Sequence, residues 1–413
     1  MAFVQKYLLA LAVSVLSISN LTCGYDLGRA DNVALYWGQS SQGTQEPLES
    51  YCARESVDIV IISFIAQLVG NEKAPVLHLA STTNGPTNPA EVAEDIKYCR
   101  SQGKKVLISI GGAGTGYELN SPAEATAAAD QIWSTFLGGG KGGSYQRPFG
   151  DIELDGVDLD IESPVGQPGE YWPIFIDHLR SLYSNEGGRD GKIDYLITAS
   201  PQCPFPDVIF SPALKDKRSW FDMLFIQFYN NHCTPSNRDS FNFNEWAEWA
   251  RSASLNPTVK LFLGAPASPN AANAGGYVPL PDLLTLAAET IEDCENARVF
   301  WRGTGAATAS NSTYNPFGGI AFWDASWTTS EMTATVKTSL SASWARAAAA
   351  ASVNGMKRLS RRATAVVKQA TVAVSAVAAA RQILSRGLLA CHRVYVLLVC
   401  RRVCTPLVRS GGW

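Results

Sequence analysis

The sequence predicts an α/β fold, a (β/α)8 TIM barrel, and three observations lead there. Short apolar runs rich in β-branched and aromatic residues recur through the body of the chain. Amphipathic stretches of helical period separate several of them. No glycine-rich phosphate loop follows the first run, where WGQSSQG (37–43) stands, so an open doubly wound sheet has no support. Strands alternating with helices call for parallel pairing with both faces covered. Eight such units over about 300 residues fit a closed barrel.

The strand candidates in order are VALYW (33–37), VDIVIISFI (57–65), KVLISIGG (105–112), GVDLDI (156–161), YLITAS (195–200), MLFIQFY (223–229), VKLFLGAP (259–266) and GGIAFWD (318–324). The helix candidates are 89–103, 122–139, 171–185, 243–253 and 280–291. In such a barrel, functional groups gather where the strands end at their C-terminal side. The residues closing these runs are Tyr36, Phe64, Gly111, Glu162, Gln202, Tyr229 and Trp323, and the fold predicts that they converge on one mouth.

The segment LDGVDLDIES (154–163) carries four carboxylates. Side chains of a strand alternate between faces. Asp158, Asp160 and Glu162 therefore share one face, and Val157, Leu159 and Ile161 the other. In a barrel the apolar set meets the outer helices and the acids point inward. Crowded, buried carboxylates cannot all ionise cheaply, so at least one pKa rises. A carboxylic acid still protonated near neutral pH is what a general acid needs. Glu162, last on the strand, is the proton-donor candidate; Asp160 sits one step deeper and Asp158 deeper again. Asp155 falls off this face and reads as a turn or solvent residue. Alternating acids can also bind calcium or line a solvated edge. Calcium ligands usually come from a loop, however, and a closed barrel has no edge strand.

The 413 residues are 46% hydrophobic and 17% charged, ample for a large core. There are 34 Lys/Arg and 37 Asp/Glu, but 13 of the basic residues and one acid lie from Glu331 onward. The body is thus acidic, and nucleic acid is not an expected partner. Residues 1–24 have the layout of a secretory signal peptide, with Lys6 before an apolar run too short to span a bilayer. An exported chain makes Cys52, Cys99, Cys203, Cys233 and Cys294 disulfide candidates, and Asn311-Ser312-Thr313 a glycosylation site. With no Cys-x-x-Cys pair and four His, no zinc site is expected. The expected domains are the signal peptide, a barrel over 31–335 and a basic Ala/Val/Arg-rich tail over 345–413, disordered or partly helical. The tail's apolar stretch is broken by His392, Arg393, Arg401 and Arg402, so it predicts no membrane span.

DGVDLDIE (155–162) resembles the DGxDxDxE signature of glycoside hydrolase family 18, and Ser109-Ile110-Gly111-Gly112 resembles its SxGG motif. VALYWGQ, SPQCPFPD (200–207, similar to APQCPFPD), IQFYNN (226–231), LFLGAP and GGIAFWDAS are similar to the hevamine-like and fungal cell-wall class III chitinases. The resemblance covers roughly 31–335. It implies an endo-chitinase that cleaves β-1,4 N-acetylglucosamine linkages with retention. The substrate's own N-acetyl oxygen would be the nucleophile and no cofactor or metal would be needed; this family is an exception to the two-carboxylate scheme. Glu162 would be the acid/base, Asp160 would orient the acetamido group, and Asp158 would back Asp160. Tyr229 would donate to the acetamido carbonyl, although on its own it fits a core tyrosine equally well. Trp323 would form an apolar floor under the sugar, a place it shares with a core tryptophan. Tyr36, Phe64, Gln202, Gln227 and Asn230 would line the cleft, and Gly111 and Gly112 would let the backbone approach the sugar. The resemblance also implies Cys203–Cys233 and Cys52–Cys99 disulfides, with Cys294 left over.

The expected partner is chitin or its oligomers, met by a monomer outside the cell or in the cell wall. Two rival functions remain at this point. One is a catalytically silent chitin-binding lectin or inhibitor on the same barrel; the other is an endo-N-acetylglucosaminidase acting on N-glycans.

Overall fold

The computed structural model describes residues 24–68, 75–114, 117–140, 145–162, 169–186, 194–304, 314–351 and 353, with side chains of 298–304 excepted. The signal segment, the sequon at Asn311, Cys23 and the tail beyond 353 lie outside the described residues.

Eight parallel strands close a barrel: β1 (Asn32–Trp37), β2 (Ile59–Gln67), β4 (Lys105–Gly112), β5 (Gly156–Ile161), β6 (Leu196–Ala199), β7 (Met223–Gln227), β8 (Lys260–Pro266) and β9 (Phe317–Trp323). Closure comes from β1, which pairs with both β2 and β9. The two-residue β3 (Val76–Leu77) adds an antiparallel extension to β2. All eight predicted runs are barrel strands.

A helix follows each barrel strand. In order they are α1 (Leu48–Cys52), α2 (Pro89–Ser101), α3 (Pro122–Phe136), α4 (Trp172–Glu186), α5 (Ser211–Lys215), α6 (Phe243–Ser252), α7 (Leu280–Thr304) and α8 over 330–351. Local chemistry sets several starts. Asn88 accepts from the Ala90 N–H and Ser121 from the Glu124 N–H, each followed by a proline at the first helical position. The five-residue α1 and α5 are too short to show a helical period, and the sequence did not predict them.

α8 was not predicted either. It begins before the expected barrel end at 335 and continues past 345, where the basic tail was expected to begin. Its inward stripe is Thr333, Val336, Lys337, Leu340 and the small Ala347. Lys337 Nζ meets both oxygens of buried Asp58, at 2.9 and 2.8 Å, and Asp58 also accepts from the Val33 N–H at 2.8 Å. A partly buried ion pair thus joins the apolar Val336 and Leu340 in fastening this helix, and the charged residue within the stripe weakens its apolar pattern.

Strand alternation divides the core in two. Val33, Val60, Ile62, Val157, Leu159, Leu261 and Leu263 point outward beneath the helices. Ala34, Ile59, Ile61, Leu107, Met223, Phe225 and Phe262 fill the lower barrel interior. Above them on the same inward face come Ser109, Asp158, Thr198 and Gln227, all buried. The barrel is therefore apolar at its base and polar toward its mouth. Disulfides join Cys52 to Cys99 and Cys203 to Cys233, and Cys294 is a buried free thiol, the pairing that the resemblance implied. No helix among the described residues is long and apolar enough to cross a membrane.

Candidate active site

The register of β5 against its neighbours builds the site. Ser109 on β4 and Thr198 on β6 are the lateral partners of Asp158, and Gly111 is that of Asp160. Asp158 is fully buried. Its Oδ1 accepts from Thr198 Oγ1 at 2.6 Å, and its Oδ2 from Ser109 Oγ at 2.8 Å and Tyr36 OH at 3.2 Å. Ser200 Oγ lies 3.2 and 3.1 Å from the two oxygens. Burial pushes this carboxyl up, and the four hydroxyls push it back down.

Asp160 and Glu162 hydrogen-bond to each other. The Gln227 amide bridges them: Nε2 is 2.8 Å from Asp160 Oδ1, 3.3 Å from Glu162 Oε1 and 2.9 Å from the Ser200 carbonyl oxygen. Burial, then the Glu162 charge, then that of Asp158, hold Asp160 well above the usual carboxylate range. Burial raises Glu162 as well, against the bonds from Gln227 and Asp160. The pair therefore retains a proton at pH values where free carboxylates have lost theirs.

A cleft of about 400 Å³ opens above this pair, lined among others by Glu162, Gln227, Tyr229, Asn230, Trp323, Phe64, Gly111 and Gly112. A smaller recess reaches below it between Tyr36, Asp160, Ser200, Gln227, Tyr229 and Trp323. The Phe64 and Trp323 rings stack with centroids 5.7 Å apart, forming an aromatic wall. Tyr229 is 8% exposed. Burial and the charges of Asp160, Glu162, Asp158 and Asp324 keep its phenol protonated, and its hydroxyl has no hydrogen bond among the described residues.

Several residues sit differently from expectation. Tyr36 borders the recess, but its hydroxyl is engaged by Asp158 and by a short contact with Ser200. Gln202 is not among the residues that line either cavity, and its Oε1 accepts from Asn231 Nδ2 at 2.6 Å. Asn230 lines the cleft with a left-handed backbone (φ 58°), and its Oδ1 accepts from the Ala274 N–H at 2.9 Å, which fixes the loop after β8. A Cβ on Gly111 (φ 119°) would stand 2.0 Å from the Asp160 carbonyl oxygen, and one on Gly112 2.8 Å from the Phe64 ring. These glycines admit the neighbouring strand and the aromatic wall. Asp155 is buried, accepting from the Val106 N–H at 2.9 Å beside Arg100 and Lys105. It secures the start of β5 and is not a solvent residue.

Sequence reasoning missed the hydroxyl cradle of Ser109, Thr198 and Ser200 as a unit. Strand alternation could have found it, because Thr198 and Ser200 lie on one face of YLITAS. Gln39, His78 and Asn273 also line the cleft. They come from loops and an irregular strand pair, where periodicity carries no signal.

Residues 32–317 match the sequence profile of Glycosyl hydrolases family 18. Chitinase 3 of Candida albicans is 37% identical over 302 residues, 71% of this chain and 47% of that protein. The class III chitinase of Arthroderma benhamiae is 32% identical over 359 residues, 82% of this chain and 94% of its own. Among solved structures, the xylanase and alpha-amylase inhibitor protein of Scadoxus multiflorus superposes with a TM-score of 0.57 at 30% identity, covering 75% of this chain and 97% of its own. The chain spans about half the length of several of the fungal chitinases it matches.

Proposed function

This chain belongs to the glycosyl hydrolases of family 18, and from that premise we propose that it is an endo-acting chitinase using the substrate's own acetamido group as nucleophile. The observation that carries the reading is the hydrogen-bonded pair of buried carboxyls, Asp160 and Glu162, under an open cleft, with Asp158 held beneath them. As an N-acetylglucosamine unit seats its acetamido group in the recess, the shared proton passes to Glu162. Glu162 then gives it to the glycosidic oxygen as the bond from that oxygen to C1 breaks. The acetamido oxygen forms the new bond to C1, giving an oxazolinium ion. Asp160, now anionic, stabilises the positive charge, and the Tyr229 hydroxyl donates to the acetamido oxygen. Water, deprotonated by the Glu162 carboxylate, opens the ion and leaves C1 with its original configuration. Trp323 and Phe64 offer apolar faces to sugar C–H groups.

Two disulfides fit an oxidising compartment, and we infer secretion or a cell-wall location for the chain. The inhibitor likeness favours a second reading, a silent barrel that binds another protein or a glycan. The presence of Asp158, Asp160, Glu162 and Tyr229 together weighs for hydrolysis, since a fold alone does not carry activity. The test is hydrolysis of defined N-acetylglucosamine oligomers beside a high-mannose glycoprotein, with xylanase and α-amylase inhibition assayed in parallel. Cleavage of the oligomers alone supports the proposal. Release of N-glycans, or inhibition without cleavage, overturns it.

A further inference from the structure

We propose that Ser200 is a positioning residue that keeps Asp158 charged and thereby directs the proton of Asp160 toward Glu162. The inference rests on the function proposed above and deepens it.

A carboxylate offers about four acceptor sites. Those of Asp158 are all approached by hydroxyls: Thr198, Ser109, Tyr36 and Ser200. Ser200 is the one whose oxygen is within reach of both carboxylate oxygens, and it also touches the Tyr36 hydroxyl. Tyr36 has one hydroxyl proton and can serve the carboxylate in either of two ways, donating to Asp158 Oδ2 directly or to Ser200 Oγ while Ser200 donates to Asp158. Hydrogen bonds to an ionised group favour the ionised form, and here they oppose complete burial.

Two consequences follow for Asp160. A charged Asp158 below it makes losing its own proton harder. With hydroxyls already donating to both oxygens of Asp158, that proton has Glu162 as its partner, in the direction catalysis needs. The Ser200 carbonyl oxygen meanwhile holds the Gln227 amide that bridges Asp160 and Glu162. One residue therefore supports both floors of the site.

The titratable groups around Asp158 are Tyr36 from β1, Asp160 and Glu162 on its own strand, and Tyr229 just beyond β7; Asp324 after β9 acts on Tyr229. Both tyrosines stay neutral, being raised by burial. The acid side of the rate profile is then where loss of a donor to Asp158 must register.

The test is the pH profile of kcat and KM on an N-acetylglucosamine oligomer for wild type, Ser200→Ala and Ser200→Thr. Ser200→Ala brings the segment to the APQCPFPD form it resembles, so the fold should accept it. The expected result is a kcat loss of about tenfold to hundredfold confined to the acid side, the effect of one hydrogen bond to an ionised carboxylate. The alkaline limb stays in place, KM changes by less than about twofold, and threonine restores the profile. A loss uniform across pH, an unchanged profile, or a folded threonine variant that behaves as alanine overturns the proposal.

Thermal unfolding supplies a readout independent of turnover. Removing the donor leaves Asp158 more protonated in the folded state, so stability present at low pH is lost further as pH rises. The fall in Tm from pH 5 to pH 8 should be larger in Ser200→Ala than in wild type; an equal fall sinks the inference. If wild type cleaves no chitin oligomer, the proposed function fails while this measurement still decides the role of Ser200.

Discussion

Asp160 and Glu162, two residues apart on one strand, share a hydrogen bond and both accept from the single amide nitrogen of Gln227. That three-residue knot links the buried acids to the open cleft, and most expectations for this protein can be read from it.

Replacing Glu162 by Gln removes the transferable proton and keeps the shape. Turnover of an N-acetylglucosamine oligomer should drop by about 10²–10⁴-fold, the usual worth of a general acid, while binding measured by calorimetry persists. Comparable kcat in Glu162→Gln would remove this residue from its role.

Gln227→Leu withdraws the donor that orients both carboxyls. A hydrogen bond to an ionised group contributes about 1.5–3 kcal/mol, which corresponds to roughly a 10–100-fold loss in kcat/KM. An unaffected rate would show that the Asp160–Glu162 contact alone suffices.

Asp160→Asn should separate stability from activity. The folded state holds the Asp160 carboxyl well above its usual range, so its stability contribution is present below the ordinary carboxylate pKa and lost as pH rises through the raised one. The Asn variant should therefore have the higher Tm at pH 8, with no such gain at pH 3, and very little turnover. Equal Tm values at both pH values would mean that Asp160 is not strained by its burial.

Gly111→Ala tests the register. Its Cβ would stand 2.0 Å from the Asp160 carbonyl oxygen on a backbone with φ of 119°. Urea unfolding should show a loss of about 2 kcal/mol or more. Wild-type stability would mean that β4 and β5 can shift apart freely.

Truncation tests where the barrel ends. A chain stopped after residue 353 should keep the wild-type Tm and oligomer hydrolysis. Stopping after Trp344 removes buried Ala347 from the last turns of α8 and should lower stability by about 1 kcal/mol, read by thermal melting. Equal melting of the two would make those turns dispensable.

What the sequence reveals follows from where its periodicities are strong. The barrel strands are legible because Val57 to Ile65 or Val259 to Pro266 are apolar enough to be buried on both faces. The acidic stack is legible because period-two alternation places Asp158, Asp160 and Glu162 on one side whatever surrounds them. Tyr36 and Gln202 were harder, since a strand end fixes which way a residue points but not which neighbour claims its polar atom. Asp155 misled for a related reason: its partners, Arg100 and the Val106 N–H, come from another βα unit. The last helix hid behind Ala-rich composition and an inward-facing lysine, and α1 and α5 are shorter than any period can reveal.

The central claim is that the nucleophile belongs to the sugar and sits over the Asp160–Glu162 pair. Proton NMR of the first products released from an N-acetylglucosamine hexamer tests it most directly. Attack by the acetamido oxygen followed by water predicts new reducing ends that appear initially as the β-anomer. Initial appearance of the α-anomer would mean direct displacement by water and would contradict the account.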